Sequence, residues 1–271
     1  MMHSFHDLLV ERDGDTVTIW MNRPERRNVL TPEHMAELTQ AFIDVGESDA
    51  TGVILAAKGP VFCAGHDFAD LADQDLASVR ALFVQCTRMM NTMQEIPQPI
   101  IARVHALATG AGCQMVATAD LAVASDQASF CTPGGGGGLF CTTPMVAVAR
   151  TIGRKRAMEM AMSGDPIDAR TAESWGLINR VVPSLELETA TAALLARATR
   201  GSAMSKGVGK QAFYKQIGLD QPAAYDYAVE VMASASQIPD AQEGFHAFLE
   251  KRAPHFNRLN QPKAGDGERL D

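Results

Sequence analysis

Val53-Ile54-Leu55-Ala56-Ala57 is an unbroken apolar run bounded by Gly52 on one side and Gly59-Pro60 on the other. It is too short for a buried helix, and no polar residue alternates through it, so it reads as a strand covered on both faces. Such a strand needs helices above and below it. Upstream, Thr31 is an N-cap, Pro32 takes the first helical position, and Met35, Leu38, Phe42 and Val45 mark one helical face that Gly46 ends. Downstream, Leu76 to Ile96 has helical period, Pro99 to Val104 reads as strand, Gly110 to Ala119 as a near-apolar helix and Leu121 to Ala124 as strand. Strand and helix alternate, which predicts an α/β core whose strand ends carry the site. Phe5 to Glu11 and Thr16 to Met21 predict a hairpin around Asp13-Gly14-Asp15.

Past the glycine run 134–138, which reads as a loop, the sequence predicts helix almost throughout. The segments are Pro144 to Thr151, Arg154 to Ser163, Ala169 to Trp175, Glu186 to Arg200, Ser205 to Gln216, Pro222 to Gln237 and Ala241 to Lys251. A soft boundary falls near Arg200-Gly201, so residues 1–200 form the expected core and 201–258 a helical region. Residues 259–271 are a polar tail, expected to be disordered.

With 271 residues, 46% hydrophobic and 21% charged, the chain can bury a large core. A formal net charge of -8 speaks against nucleic-acid or anionic-membrane partners, which select for excess Lys and Arg. Without a basic and apolar N-terminal segment or a bilayer-length apolar run, the expected location is the cytoplasm. Cys63, Cys86, Cys113, Cys131 and Cys141 lack metal-ligand spacing, so no metal site is expected.

Two turns hold the chemistry. Phe62-Cys63-Ala64-Gly65-His66-Asp67 closes one strand segment, and Thr109-Gly110-Ala111-Gly112 opens the Gly110 helix. Each bares backbone N–H groups, and two such turns face to face make an oxyanion hole. The bland alternative is a pair of tight turns between packed elements. Gly110-x-Gly112 after a strand also raises a nicotinamide-dependent dehydrogenase, but the third glycine and the strand-end acid of that fingerprint are missing.

Further motifs run in order with these turns. They are Asn22-Arg23-Pro24 with Asn28, Gly110-Ala111-Gly112-Cys113, Phe130 with Pro133, Arg154-Lys155-Arg156-Ala157 and Ser163-Gly164-Asp165-Pro166-Ile167. Gly176-Leu177-Ile178 with Val181-Val182-Pro183 and Glu243-Gly244-Phe245 leading to Lys251-Arg252 complete the set. Taken together they resemble the enoyl-CoA hydratase/isomerase, or crotonase, family over nearly the whole chain. The resemblance is strongest to its enoyl-CoA hydratase domain-containing branch, with Gly-His-Asp in the first turn and Gly138-Leu139-Phe140-Cys141-Thr142-Thr143-Pro144 after the loop.

The resemblance implies a spiral of ββα units with a C-terminal helical trimerisation region, acting as a lyase or isomerase on acyl-CoA thioesters of fatty acid metabolism. It places the oxyanion donors on the amides of His66 and Ala111, each worth about 2.7–4 kcal/mol. Coenzyme A enters as part of the substrate, with no separate cofactor. Substrate-binding positions fall at Ala64, Asp67, Phe68, Ala69, Gly110, Gln114, Gly134 and Phe140. Arg26 and Arg27 meet the CoA nucleotide, and Phe248 and Lys251 reach it from a neighbouring subunit of a homotrimer or dimer of trimers.

One departure stands out. The family's two catalytic glutamates match Gln114 and Gly134, neither of which transfers a proton. His66 is the remaining acid/base candidate, its imidazole directed either into the site or to solvent. The readings that stay open are an acyl-CoA-processing enzyme, a thioester isomerase, decarboxylase or hydrolase, and a non-catalytic acyl-CoA-binding protein.

Overall fold

The computed structural model describes residues 3–257; the expectations for the tail 259–271 and for residue 258 lie outside the described residues. The chain opens with the antiparallel hairpin β1 (Leu8–Asp13) and β2 (Thr16–Met21), turned at Gly14 with φ +56°. Val17, Ile19 and Met21 point to the core from β2, while Thr16, Thr18 and Trp20 face the other way. Helix α1 (Pro32–Gly46) is capped by Thr31, whose hydroxyl accepts the His34 amide, and it buries Met35, Leu38, Phe42 and Val45 completely. Strand β3 (Gly52–Ala57) is buried at every position and runs parallel to β2, as its unbroken apolar run requires.

Next come α2 (Leu76–Glu95), β4 (Ile100–Val104), β5 (Ala108–Thr109), α3 (Ala111–Thr118), β6 (Leu121–Ser125), β7 (Ser129–Cys131) and α4 (Thr142–Ile152). They are followed by α5 (Arg154–Ser163), β8 (Ile167–Asp168), α6 (Ala169–Trp175), β9 (Arg180–Val182), α7 (Leu187–Ala198), α8 (Ala203–Gln216), α9 (Gln221–Ala235) and α10 (Pro239–Leu249). One sheet has the order β1-β2-β3-β4-β6-β9 and a second the order β5-β7-β8. The pattern between them repeats. In β4-β5-α3 and in β6-β7-α4, the first strand joins the large sheet, the second joins the small one, and a helix closes the unit. An earlier turn of the same spiral runs from β3 through a single bridge, Cys63 to Ala108, into α2. The turns between strand and helix are thereby stacked at one end of the spiral.

Two sequence expectations need correction. The stretch after Leu139 is not all helix: β8 and β9 interrupt it, and β9 extends the large sheet beside β6. Strands of two or three residues are too brief for any period to register. The glycine run, expected as plain loop, begins in a 3-10 turn over Pro133–Gly135, with Gly136 and Gly137 amides donating to the Pro133 and Gly134 carbonyls.

Helix α7 packs Leu187, Leu194 and Leu195 on Ile54, Ile101 and Val123, covering the face of the large sheet opposite the main core. Lys210 of α8 is held by Asp120 at 2.8 Å and by the carbonyls of Met93 and Gln98. Helix α9 buries no side chain in this chain and α10 only Asp240 and Ala247. No helix among the described residues is long and apolar enough to cross a membrane.

Candidate active site

The loop before α1 builds the first wall. Asn28, fully buried at φ +52°, donates to the carbonyls of Lys58 and Val61 and accepts the Arg23 amide, which pins residues 23–28 to the segment leading into the first turn. Ala64 then donates to the Arg27 carbonyl, and Leu30 to the Gly65 carbonyl at 2.8 Å. On the other side, Phe62 and Cys63 donate to Leu107, and Thr109 donates to Cys63. The first turn is thus threaded between the Leu30 segment and β5.

Glycines allow the two turns to touch. At Gly65, φ +81°, an added Cβ would lie 3.0 Å from the Thr109 oxygen and 3.3 Å from the Ala111 nitrogen. At Gly112 it would lie only 2.4 Å from the Cys63 oxygen, so α3 is seated directly on the first turn. Among the described residues, neither the His66 amide nor the Ala111 amide has a hydrogen-bond acceptor. Ala111 is also the first residue of α3, where the helix dipole favours negative charge.

Both residues line a cavity of about 500 Å³. Its walls are Ala64 to His66 and Thr109 to Ala111 on one side, Phe68, Leu71 and Phe83 on another, and Pro133, Gly134, Gly137 and Leu139 to Pro144 on the third. Among the described residues that line it there is no Asp, Glu, Lys or Arg. The lining is chiefly apolar.

Of the expected site residues, His66, Ala111, Ala64, Phe68, Gly110, Gly134 and Phe140 meet at this cavity. Asp67 does not line it. Its carboxylate caps the following 3-10 turn at the Ala69 amide and pairs with Arg26, and these bonds hold its pKa below the ordinary carboxylate value. Ala69 is exposed, and Arg27 sits in left-handed backbone at φ +52°. Gln114 is 6% exposed and outside the lining, its Oε1 sealed from solvent without a hydrogen-bond partner. Phe248, 83% exposed, and Lys251 lie in the C-terminal helical region and do not line the cavity of their own chain.

The imidazole of His66 turns neither to solvent nor openly to the cavity. It meets the Phe83 ring edge-on at 5.4 Å, and both ring nitrogens are sealed without hydrogen-bond partners. Burial lowers its pKa; the Leu30 carbonyl and Asp70 pull the other way, although the carbonyl is not in hydrogen-bonding geometry with either nitrogen. Burial raises Asp70, with Asp67 and Glu33 adding repulsion. The thiols are protonated: burial pushes Cys63 to about 12 and raises Cys113, Cys131 and Cys141. Nucleophilic cysteine chemistry has no activated thiol here.

Gly134 is a closed position. A Cβ there would lie 2.1 Å from the Leu139 oxygen and 2.7 Å from Cys141 Sγ, which accepts the Gly134 amide at 3.3 Å. Sequence reasoning missed Leu71 and Phe83. Phe83 is offset by one residue from the buried Leu82-Cys86-Met89 stripe of α2, a signal that an aromatic lies beside the core face and not within it.

A family model described as enoyl-CoA hydratase/isomerase matches residues 11–259. The chain belongs to the enoyl-CoA hydratase/isomerase family. Among its relatives is enoyl-CoA hydratase domain-containing protein 3, mitochondrial, of Danio rerio, 39% identical over 93% of this chain and 88% of the relative. The crystal structure of human enoyl coenzyme A hydratase domain-containing protein 3 is 38% identical with TM-score 0.88, covering 92% of this chain and 100% of that one. An enoyl-CoA hydratase structure from Mycobacterium smegmatis is 42% identical with TM-score 0.89, covering 92% of this chain and 98% of the other. The fold is the crotonase spiral and the branch is the one its turn motifs resemble. The cytoplasmic location expected for want of a basic and apolar N-terminal segment is overturned, because the domain-containing relatives are named mitochondrial. Mitochondrial transit segments are amphipathic, Arg-rich and poor in acids, so the basic-then-apolar order does not report on that compartment.

Proposed function

We propose that the chain is an acyl-CoA-processing enzyme that holds the thioester oxygen between the His66 and Ala111 amides and so stabilises an enolate or tetrahedral oxyanion. The single observation that carries this is the pair of N–H groups without acceptors, brought together by Gly65 and Gly112 at the wall of an apolar cavity. Donors fixed where charge develops need no reorganisation during reaction. Coenzyme A arrives as part of the substrate. Arg26 and Arg27 receive its nucleotide, and Phe248 and Lys251 do so from a neighbouring subunit in a homotrimer or dimer of trimers.

One observation favours a second reading. No carboxylate lines the cavity among the described residues, Gly134 has no room for one, and the His66 nitrogens are sealed. Hydration through a glutamate pair therefore has no counterpart. The alternatives are isomerisation, decarboxylation or thioester cleavage, or acyl-CoA binding with no turnover. Calorimetry with a panel of acyl-CoA thioesters, followed by turnover assays on the same panel, separates these readings. Binding with turnover of at least one thioester is the expected result. Binding without turnover selects the non-catalytic reading, and absence of binding overturns both.

A further inference from the structure

One wall of the thioester cavity is built differently from the others. The two turns are tied to neighbouring segments: Ala64 donates to Arg27, Leu30 to Gly65, Thr109 to Cys63 and Gly110 to Cys131. Phe83 stands on α2, a helix of 20 residues. The glycine wall has no such ties. Among the described residues, the backbone hydrogen bonds of residues 134–139 close within 133–141. Gly136 donates to Pro133 and Gly137 to Gly134, each at 3.0 Å, Gly138 to Gly135 at 3.3 Å, and Leu139 to Gly134 at 2.9 Å. Gly135, Gly136 and Gly138 are exposed without lining the cavity, whereas Gly137 between them lines it. The run is therefore a single layer of backbone with solvent on one side and the cavity on the other.

Geometry does not demand every glycine in it. Gly138 is required by its φ of +92°. At Gly135 and Gly136 φ is not positive, and an added Cβ would meet nothing nearer than 3.4 Å. Both positions have room for a side chain, and as glycines they add backbone freedom without packing. A segment with exposed, local hydrogen bonds and few side-chain contacts opens at lower cost than a packed helix or a cross-tied turn. The cavity, about 500 Å³, lies in the lower half of the range of about 300–1,000 Å³ that encloses a drug-sized ligand. It suits a short acyl thioester as it stands, and a long chain needs a wall to yield.

We propose that residues 135–138 are that yielding wall and set the range of acyl groups accepted. Short groups fit with the wall in place. Long fatty acyl chains push it outward from a base at Gly134 and Leu139, which stay joined. The proposal rests on reading the cavity as the acyl-thioester site.

The test titrates the full chain with butyryl-CoA and dodecanoyl-CoA in a calorimeter, as the parent and as Gly135→Ala with Gly136→Ala. Neither residue lines the cavity, so the variant adds no atom to its lining. The variant should melt about 2–6 °C higher than the parent. It should bind butyryl-CoA as the parent does and dodecanoyl-CoA about fivefold or more weakly, the stiffening being felt only when the wall moves. In the parent, amide hydrogen exchange at residues 136–139 should be faster with dodecanoyl-CoA bound than with butyryl-CoA bound. Equal losses for the two thioesters, no loss for dodecanoyl-CoA, or a parent that binds butyryl-CoA alone overturns the yielding wall and leaves the thioester reading intact. A parent that binds neither overturns that reading and the wall with it. If the variant does not fold, exchange in the parent decides: faster exchange with the long chain supports the wall, and equal or slower exchange overturns it.

Discussion

Gly134 stands where a catalytic glutamate would be expected, and its surroundings exclude every side chain. With Leu139 oxygen and Cys141 Sγ within 2.1 and 2.7 Å of a built Cβ, Gly134→Ala should destabilise the fold by about 2 kcal/mol or more, read by chemical denaturation. Gln114→Glu combined with Gly134→Glu should not create crotonyl-CoA hydration; robust turnover in a variant as stable as the parent would refute the closed-position argument. His66 and His34 make a second residue-level prediction. Burial is the largest influence on each and lowers both pKa values. The unfolded chain therefore holds more protons than the folded one just below the ordinary histidine value. Their contribution is complete above about pH 6.5 and is lost as pH falls through the depressed folded values. The melting temperature should fall as the pH is lowered below about 6.5, and His34→Gln with His66→Gln should flatten that fall. An equally steep profile in the double variant would assign the dependence to other groups.

The helix that supplies the second amide is positioned by contact and not by its own propensity, since α3 spans only Ala111–Thr118. Gly112→Ala would drive a Cβ to within 2.4 Å of the Cys63 oxygen and part the two turns. Acyl-CoA affinity should then fall by more than it does in Lys210→Met, which destabilises the fold away from the cavity. Lys210→Met removes one partner of the Asp120 carboxylate, which keeps the Ile100 amide and the Tyr214 hydroxyl, and should lower stability by about 1–3 kcal/mol without touching the cavity. Equal affinity losses in the two variants, corrected for unfolded fraction, would sink the idea that the turns are gauged by Gly112. These elements also explain what the sequence made readable. The β3 run, the Thr31 cap and the paired glycine turns are local signals, and each appears where expected. Strands β5, β7, β8 and β9 are held by pairing with distant strands, so nothing local marks them. The same limit applies to the site: glycine spacing marked the two turns that meet, but the burial of the His66 nitrogens depends on Phe83 arriving from α2.

Across the whole molecule, apolar surface is unevenly spent. The spiral buries its aromatic residues fully at Phe42, Phe62 and Phe130, while Tyr225, Val229 and Met232 of α9 and Phe245, Phe248 and Leu249 of α10 remain between 53% and 83% exposed. Large apolar side chains exposed on two well-formed helices are the material of an interface. The proposed homotrimer or dimer of trimers accounts for it, and it also explains why Phe248 and Lys251 are absent from the cavity of their own chain. Light scattering should give about three or six times the chain mass. Met232→Glu with Val229→Glu should reduce that to a single chain with the far-ultraviolet circular dichroism retained, because neither side chain is buried within the chain. If the CoA nucleotide is shared between subunits, the dissociated variant should bind an acyl-pantetheine thioester as the parent does but lose its preference for the full acyl-CoA. A parent that is already a single chain, or a variant that keeps the preference, would remove the neighbouring subunit from the site.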